Sequence, residues 1–322
     1  MTRKSKGSAG ADSAFDRVFA VLDEALAGMH DIEPATGDLP SDLPEQLIEL
    51  YSYCDGARLF LETFEIVAPR DVKRTDGERP MWLFGRFGDD PVFVDAKGRV
   101  WRDDESIDAP ICEGTSLDRW LSGFIDATAM LYDHDGEFAD DAFDEDGELM
   151  PIIAEKQLRA QLKRDPKAPA PRWRLAHALL AQDATQLARQ QLEELVANEP
   201  SFAWGWLELA RIAETTGDLE IALDDATAGA EAAKGHDQEG YFWAQVARLA
   251  SRKPDETARV VAADRASRLA PELRAAQLEG ARAQLADGDP QSARGLLDLL
   301  RAVWPKDLEV LALARQLEQL EN

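Results

Sequence analysis

The chain has little of what marks the commonest site chemistries. Its 322 residues include 2 cysteines and 4 histidines. Cys54 and Cys112 have neither CxxC spacing nor the company that a disulfide framework needs. His30, His134, His177 and His236 are scattered, with no HExxH and no Cys/His ligand spacing. There is no phosphate-binding loop, no GxGxxG turn and no GxSxG elbow, and Gly114-Thr115-Ser116 is better read as a helix start. No window approaches the length of a transmembrane helix. The first residues, MTRKSKGSAGADSAF, have basic groups but no apolar run behind them, so they are not a signal peptide. These gaps predict a non-enzyme without cofactor or metal, without a membrane partner, in a reducing cytoplasm.

Positive charge is also scarce. There are 36 Lys+Arg against 62 Asp+Glu, a net charge of −26. Residues 1–150 hold 14 basic and 35 acidic residues (−21), and the remaining 172 hold 22 and 27 (−5). A field of this sign repels nucleic acid and anionic membrane and attracts basic proteins, or it serves only to keep the chain soluble. No nucleic-acid partner is expected.

What is present is enough apolar sequence, 45% of the chain, for two domains. Residues 1–11 are small and polar and predict a disordered tail. From Asp12, a plausible N-cap, Phe15, Val18, Phe19, Leu22, Leu26 and Met29 recur at helical spacing. Residues 31–42 are a Pro/Gly linker; a second helix opens at Pro44, buries Leu47, Ile48, Leu50 and Tyr51, and stops near Gly56. Leu59 to Val67 is one strand, and 69–80 is a polar loop with Arg70, Lys73, Arg74 and Arg79. Residues 81–102, MWLFGRFGDDPVFVDAKGRVWR, form a β-meander, with turns at 88–91 and 95–98. An edge strand with Pro110 covers 107–112, and a helix with a wide apolar face starts at Thr115. Strands grouped between helices indicate α+β.

Leu39-Pro40-Ser41-Asp42-Leu43-Pro44, Tyr53-Cys54-Asp55-Gly56-Ala57, Phe84-Gly85, Val94-Asp95-x-x-Gly98-x-Val100 and Thr115-Ser116-Leu117-Asp118-Arg119-Trp120-Leu121 together resemble the SUKH superfamily over about residues 39–135. That group includes immunity proteins of bacterial toxin systems and cell-wall regulators of the Smi and Knr type. The resemblance implies an α+β protein-binding scaffold (residues 12–131) with no known cofactor.

Residues 132–149 contain nine acids and no Lys or Arg. In the one EF-hand frame that suits Asp144, Asp146 and Gly147, the first ligand falls on Ala142 and the twelfth on Ile153; a frame on Gly136 starts at Leu131. Residues 132–165 are therefore taken as an acidic connector and helix. From 166 to 322 the chain turns Ala-, Leu-, Arg- and Glu-rich. Prolines at 166, 200, 271 and 305 keep a ruler of 34, 71 and 34 residues, with 71 being two periods plus three. Trp206, Ala210, Gly217 and Ala222, and again Ala281, Gly288 and Ala293, occupy corresponding places. This resembles tetratricopeptide (TPR) repeats, all-α helical hairpins in a solenoid, with an irregular third repeat near 251–256 and a capping helix over 307–321.

Two candidate surfaces follow. On the repeats, the ninth position, which faces the groove in such arrays, holds His177, Arg211, Arg248 and Arg282, and the second holds Trp204 and Tyr241. Such a ladder would take an acidic or C-terminal peptide. The other reading is that Glu208 with Arg211, and Glu279 with Arg282, only neutralise one another as i,i+3 pairs. On the first domain, Asp89, Asp90, Asp103, Asp104 and Glu105 form an acidic rim, fit either for the basic groove of a toxin or merely for turns and edge protection. The leading expectation is an immunity protein that neutralises a toxin through the acidic domain, with the repeats as adaptor. The alternative is a regulatory scaffold whose repeat groove binds the partner.

Overall fold

The antiparallel sheet grows outward from the aromatic meander. The computed structural model describes the chain except for residues 1–13, 25–27, 77–78, 105–108, 134, 140–141, 253–255 and 321–322, so the expected disordered tail lies outside the described residues. The chain divides into two compact units, Met1–Ala184 and Thr185–Asn322.

The first unit runs α1 (Ala14–Glu24), β1 (Asp31–Pro34), α2 (Glu45–Tyr51), β2 (Cys54–Leu59), β3 (Phe64–Ile66), β4 (Lys73–Arg74), β5 (Met81–Phe87), β6 (Asp90–Asp95), β7 (Val100–Asp104), β8 (Ala109–Gly114), α3 (Leu117–Ala129), α4 (Pro151–Arg164) and α5 (Pro169–Leu180). The strands lie in the order β1-β2-β3-β5-β6-β7-β8, and β4 shares an edge of β5 with β3. One face buries Phe64, Trp82, Phe84, Val92, Val94 and Val100 against Phe15 and Val18 of α1, Leu47, Leu50 and Tyr51 of α2, and Trp120, Leu121 and Phe124 of α3. Alternation along each strand selects these residues for one face.

Several expectations need correction. The single strand expected over Leu59–Val67 is a hairpin: Phe60, Leu61 and Glu62 turn the chain at φ of 52°, 53° and 74°. No Gly or Asn announces that turn. It is held by neighbours, because Leu61 N–H donates to the Met29 carbonyl at 3.0 Å and Phe60 N–H to His30 Nδ1 at 3.3 Å. Tertiary contacts of this kind offset a left-handed cost of about 1 kcal/mol per residue. The 31–42 linker contains edge strand β1, and α2 ends at Tyr51, with Ile48 45% exposed instead of buried. The polar loop 69–80 contains one turn of 3-10 helix (Pro69–Asp71) and β4.

The acidic stretch is ordered as two tandem loops, closed by the bridges Tyr132↔Phe138 and Phe143↔Leu149. Each repeats Asp-x-Asp-Gly-Glu. Asp133 Oδ1 accepts from the N–H of Asp135 (2.9 Å) and Glu137 (3.1 Å), and Asp144 Oδ1 from Asp146 (3.0 Å) and Glu148 (2.8 Å). The acids that open the loops are thus committed to turn chemistry. A ring contact from Phe60 to Tyr132 (6.0 Å) continues to Phe138 (5.0 Å) and Phe143 (5.1 Å), which seats the loops on the sheet unit.

Helices α4 and α5 are fastened to the same unit. Asp165, 2% exposed, accepts from Thr115 N–H (2.5 Å) and Oγ1–H (2.7 Å). Glu113 on β8, 6% exposed, accepts from Arg174 Nη1 (3.0 Å) and Nη2 (2.8 Å) and lies 3.3 Å from Arg102 Nε. A buried carboxylate needs such partners.

The second unit is all-helical: α6 (Thr185–Asn198), α7 (Ala203–Thr216), α8 (Leu219–Ala232), α9 (Glu239–Ala250), α10 (Glu256–Leu269), α11 (Arg274–Ala286), α12 (Pro290–Val303) and α13 (Leu308–Leu320). Gly217 closes α7 at φ 86°, and Asp218 then caps α8 by accepting from Ile221 N–H at 3.3 Å. Gly288 (φ 78°) and Asp289, which accepts from Ser292 N–H at 3.0 Å, repeat the device before α12. Between α9 and α10 the connection is 251–255, longer than 217–218, at the place where the period of 34 slips by three; 253–255 lie outside the described residues. Ala210, Ala222, Ala281 and Ala293, the small residues that set the repeat register, are all buried. On α13, Val310, Leu313 and Leu317 cover Leu278, Leu297 and Leu300, while Arg315, Gln316 and Gln319 are exposed.

Candidate functional site

The ladder on the helical array is assembled from the first helices of successive pairs. Trp204 near the start of α7 and Tyr241 near the start of α9 lie with ring centroids 5.8 Å apart. Two turns further along α7, Arg211 Nη2 donates to the Tyr241 hydroxyl at 3.3 Å. These three side chains form one contiguous surface. His177 stands on α5 in the first unit, exposed, with its ring edge-on to Trp173 at 4.7 Å.

Each of the ladder arginines Arg211, Arg248 and Arg282 also has an anionic or amide partner. Arg211 Nη1 donates to Glu208 Oε1 at 2.5 Å. Arg248 forks onto Glu214 at 2.6 and 2.8 Å and donates Nε–H to Gln245 at 3.1 Å. Arg282 pairs with Glu279 and, at 3.0 Å, with Glu309. Glu208 and Glu279 are 5% and 4% exposed, so both i,i+3 pairs weighed from the sequence are formed with a buried acid. Hydrogen bonding by Arg248 holds the Glu214 carboxyl below the usual carboxylate range. An acidic ligand on these rungs would compete with carboxylates already in place. Arg211, tied to one carboxylate and one phenol, has the least competition.

Sequence reading missed Glu214, Arg252, Arg274, Asp307 and Glu309. Arg252 joins Glu214 at 2.5 Å, and Arg274 forks onto Asp307 at 2.8 Å twice. Glu214 and Arg248 are one period of 34 apart, which was the available signal.

On the first unit, Asp89, Asp90 and Asp103 are exposed. The pairings Phe87↔Asp90 and Val92↔Arg102 bring the β5–β6 turn and the end of β7 to the same end of the sheet. The side chain of Asp104 and all of Glu105 lie outside the described residues. Among the described residues no group of three or more His, Cys, Asp or Glu is arranged to hold a metal ion, and no helix is long and apolar enough to cross a membrane. Burial pushes the Cys54 thiol up to about 11.

No family model matches the chain. No curated protein matches it either. Solved structures do resemble it. That of PilF from Pseudomonas aeruginosa is 16% identical, with a TM-score of 0.45 over 53% of this chain and 76% of that one. YrrB, described as a TPR protein with an unusual peptide-binding site, is 11% identical, with a TM-score of 0.42 over 51% of this chain and 84% of that one. Yeast Tom70 is 18% identical, with a TM-score of 0.44 over 53% of this chain and 36% of that one. With every one of these TM-scores under 0.5, the helix-pair architecture rests on the internal period and the packing of the array itself.

Proposed function

We propose that the chain is a non-catalytic protein-binding scaffold of the cytoplasm, with the surface of α7, α9 and α11 holding a segment of its partner. The observation that supports this reading is the contiguous set Trp204, Tyr241 and Arg211. Two half-buried aromatic rings beside a guanidinium fork are the composition of an interface hot spot. Ion pairing fixes the arginines in advance, so little side-chain freedom is lost when a partner docks. The segment would place an apolar side chain against the rings and a carboxylate or carbonyl on Arg211.

The test is capture of the partner by the full chain and by a variant with Arg211→Ala, Arg248→Ala and Arg282→Ala. The variant is expected to lose at least tenfold in affinity, and retained binding would remove this reading.

A second reading, the toxin-neutralising immunity protein of the SUKH resemblance, is favoured by the shared location and exposure of Asp89, Asp90 and Asp103. There the partner is a basic toxin domain met by charge complementarity. Reversing the three to lysine is expected to abolish binding at physiological salt; unchanged toxin affinity would end that reading.

A further inference from the structure

The opposite end of the same strands has the opposite charge. Met81 pairs with Asp95, Leu83 with Lys73 and Trp82 with Arg74, so β4, residue 79 and the β6–β7 turn gather at one end. Lys73, Arg74, Arg79, Lys97 and Arg99 all fall there. Trp101 is their platform. The residue is 9% exposed and its Nε1–H donates to Asp95 Oδ2 at 3.1 Å. The Arg79 guanidinium carbon lies 4.4 Å and that of Arg99 5.0 Å from the ring centroid. Arg74 stacks 5.4 Å from Trp82, whose ring belongs to the helix-covered face of the sheet, opposite to that of Trp101.

The buried Asp95 is engaged by backbone and indole donors. Its Oδ1 accepts from the backbone N–H of Lys97 (2.9 Å) and Arg99 (3.0 Å), and its Oδ2 takes the indole. Lys73, Arg74, Arg79 and Lys97 are exposed and form no ion pair among the described residues. Several arginines elsewhere are paired. Arg58, Arg164, Arg211, Arg248, Arg274 and Arg282 each have a carboxylate within 4 Å. Among the described residues Lys73, Arg74, Arg79 and Lys97 have no carboxylate partner, in a half that holds 35 acids against 14 bases.

We propose that this end of the sheet is a docking surface for an acidic peptide segment of another protein. Two guanidinium groups fixed on one indole present their forks with little freedom left to lose, and carboxylates match those forks. From β4 to β7 there are three strand spacings of about 4.8 Å, the reach of about four extended residues at about 3.3 Å each. A run of four or five Asp or Glu therefore fits the surface. A nucleic acid meets the repulsion of the whole chain, net −26, over a longer contact.

The test is fluorescence anisotropy of a labelled penta-glutamate peptide with the full chain at low salt. Binding is expected, weakened about tenfold by Arg79→Glu with Lys97→Glu and unchanged by Arg58→Ala on β2, level with Arg86 at the acidic end of the sheet. The milder pair Arg79→Ala and Lys97→Ala, checked by near-UV circular dichroism, guards against misfolding and is expected to weaken binding in the same direction. No binding, or equal binding by both variants, would overturn the proposal. A labelled penta-thymidylate bound as tightly through the same residues would overturn it in favour of nucleic acid. Self-association in sedimentation that the same substitutions remove would replace the acidic peptide by a second copy of this chain.

Discussion

In the first unit the largest fully buried side chains are Phe15, Tyr51, Phe60, Phe64 and Phe84, whereas α7 to α11 meet on Ala210, Ala213, Ala226, Ala247, Ala263 and Ala266. The difference follows from geometry. Helices laid on a twisted sheet leave a thick, irregular gap that only large side chains fill, whereas paired helices approach to about 8–10 Å when small residues line the crossing. Gly240 shows the extreme: a Cβ there would lie 2.8 Å from the Ala270 nitrogen. Each alanine buries little surface, so the array gains its stability from many equivalent contacts. The sheet unit is therefore sensitive to deletion and the array to addition.

The largest effect is expected from Phe64→Ala. Phe64 lies 5.3 Å from both Trp120 and Phe124 and 4.8 Å from Phe87, and truncation should cost about 4 kcal/mol in urea unfolding. A loss below about 1 kcal/mol would mean that the aromatic core collapses freely around the cavity. Next comes Ala247→Leu, which adds volume at a fully buried position and is expected to cost about 2 kcal/mol. A neutral result would erase the contrast between the two cores.

The smallest effect sharpens the comparison through pH. Asp225 on α8 is half-buried and pushed up from 3.8 to about 6, first by burial, with Asp224 and Glu193 adding and Arg189 opposing. A carboxyl raised in the folded state favours folding while neutral, and that contribution is lost as pH rises from 3.8 through about 6. Asp225→Asn should gain about 1 kcal/mol at about pH 7.5, a value discounted for partial exposure, and nothing at about pH 4. An equal gain at both pH values would point to packing instead of charge.

Periodic features were legible in the sequence: the helix pairs, the Gly-Asp turns, the meander and the i,i+3 pairs Glu208–Arg211 and Glu279–Arg282. Those that depend on partners far along the chain were not. Turn 60–63 contains no turn residue and exists because Met29 and His30 accept its N–H groups. Asp-x-Asp-Gly-Glu looked like solvated charge because nothing in the letters shows that Asp133 and Asp144 fold back on their own backbone. On the array surface the residue types were visible, but Glu214 and Glu309 were not, so the arginines looked more available than their geometry makes them.

One residue has a consequence for cutting the protein apart. Arg174 on α5 stands where α7, α9 and α11 have Glu208, Gln245 and Glu279, each of which accepts from the arginine three residues on. Arg174 instead grips Glu113 of β8. A gene shortened at the acidic loops, where composition invites the cut, would encode a sheet with that glutamate stripped of its fork and with Gly123, where an added Cβ would come within 3.1 Å of the Gln161 Cα, facing water. Such a half-protein is expected to be insoluble. The two compact units divide after Ala184, so the sheet keeps α4 and α5 with it.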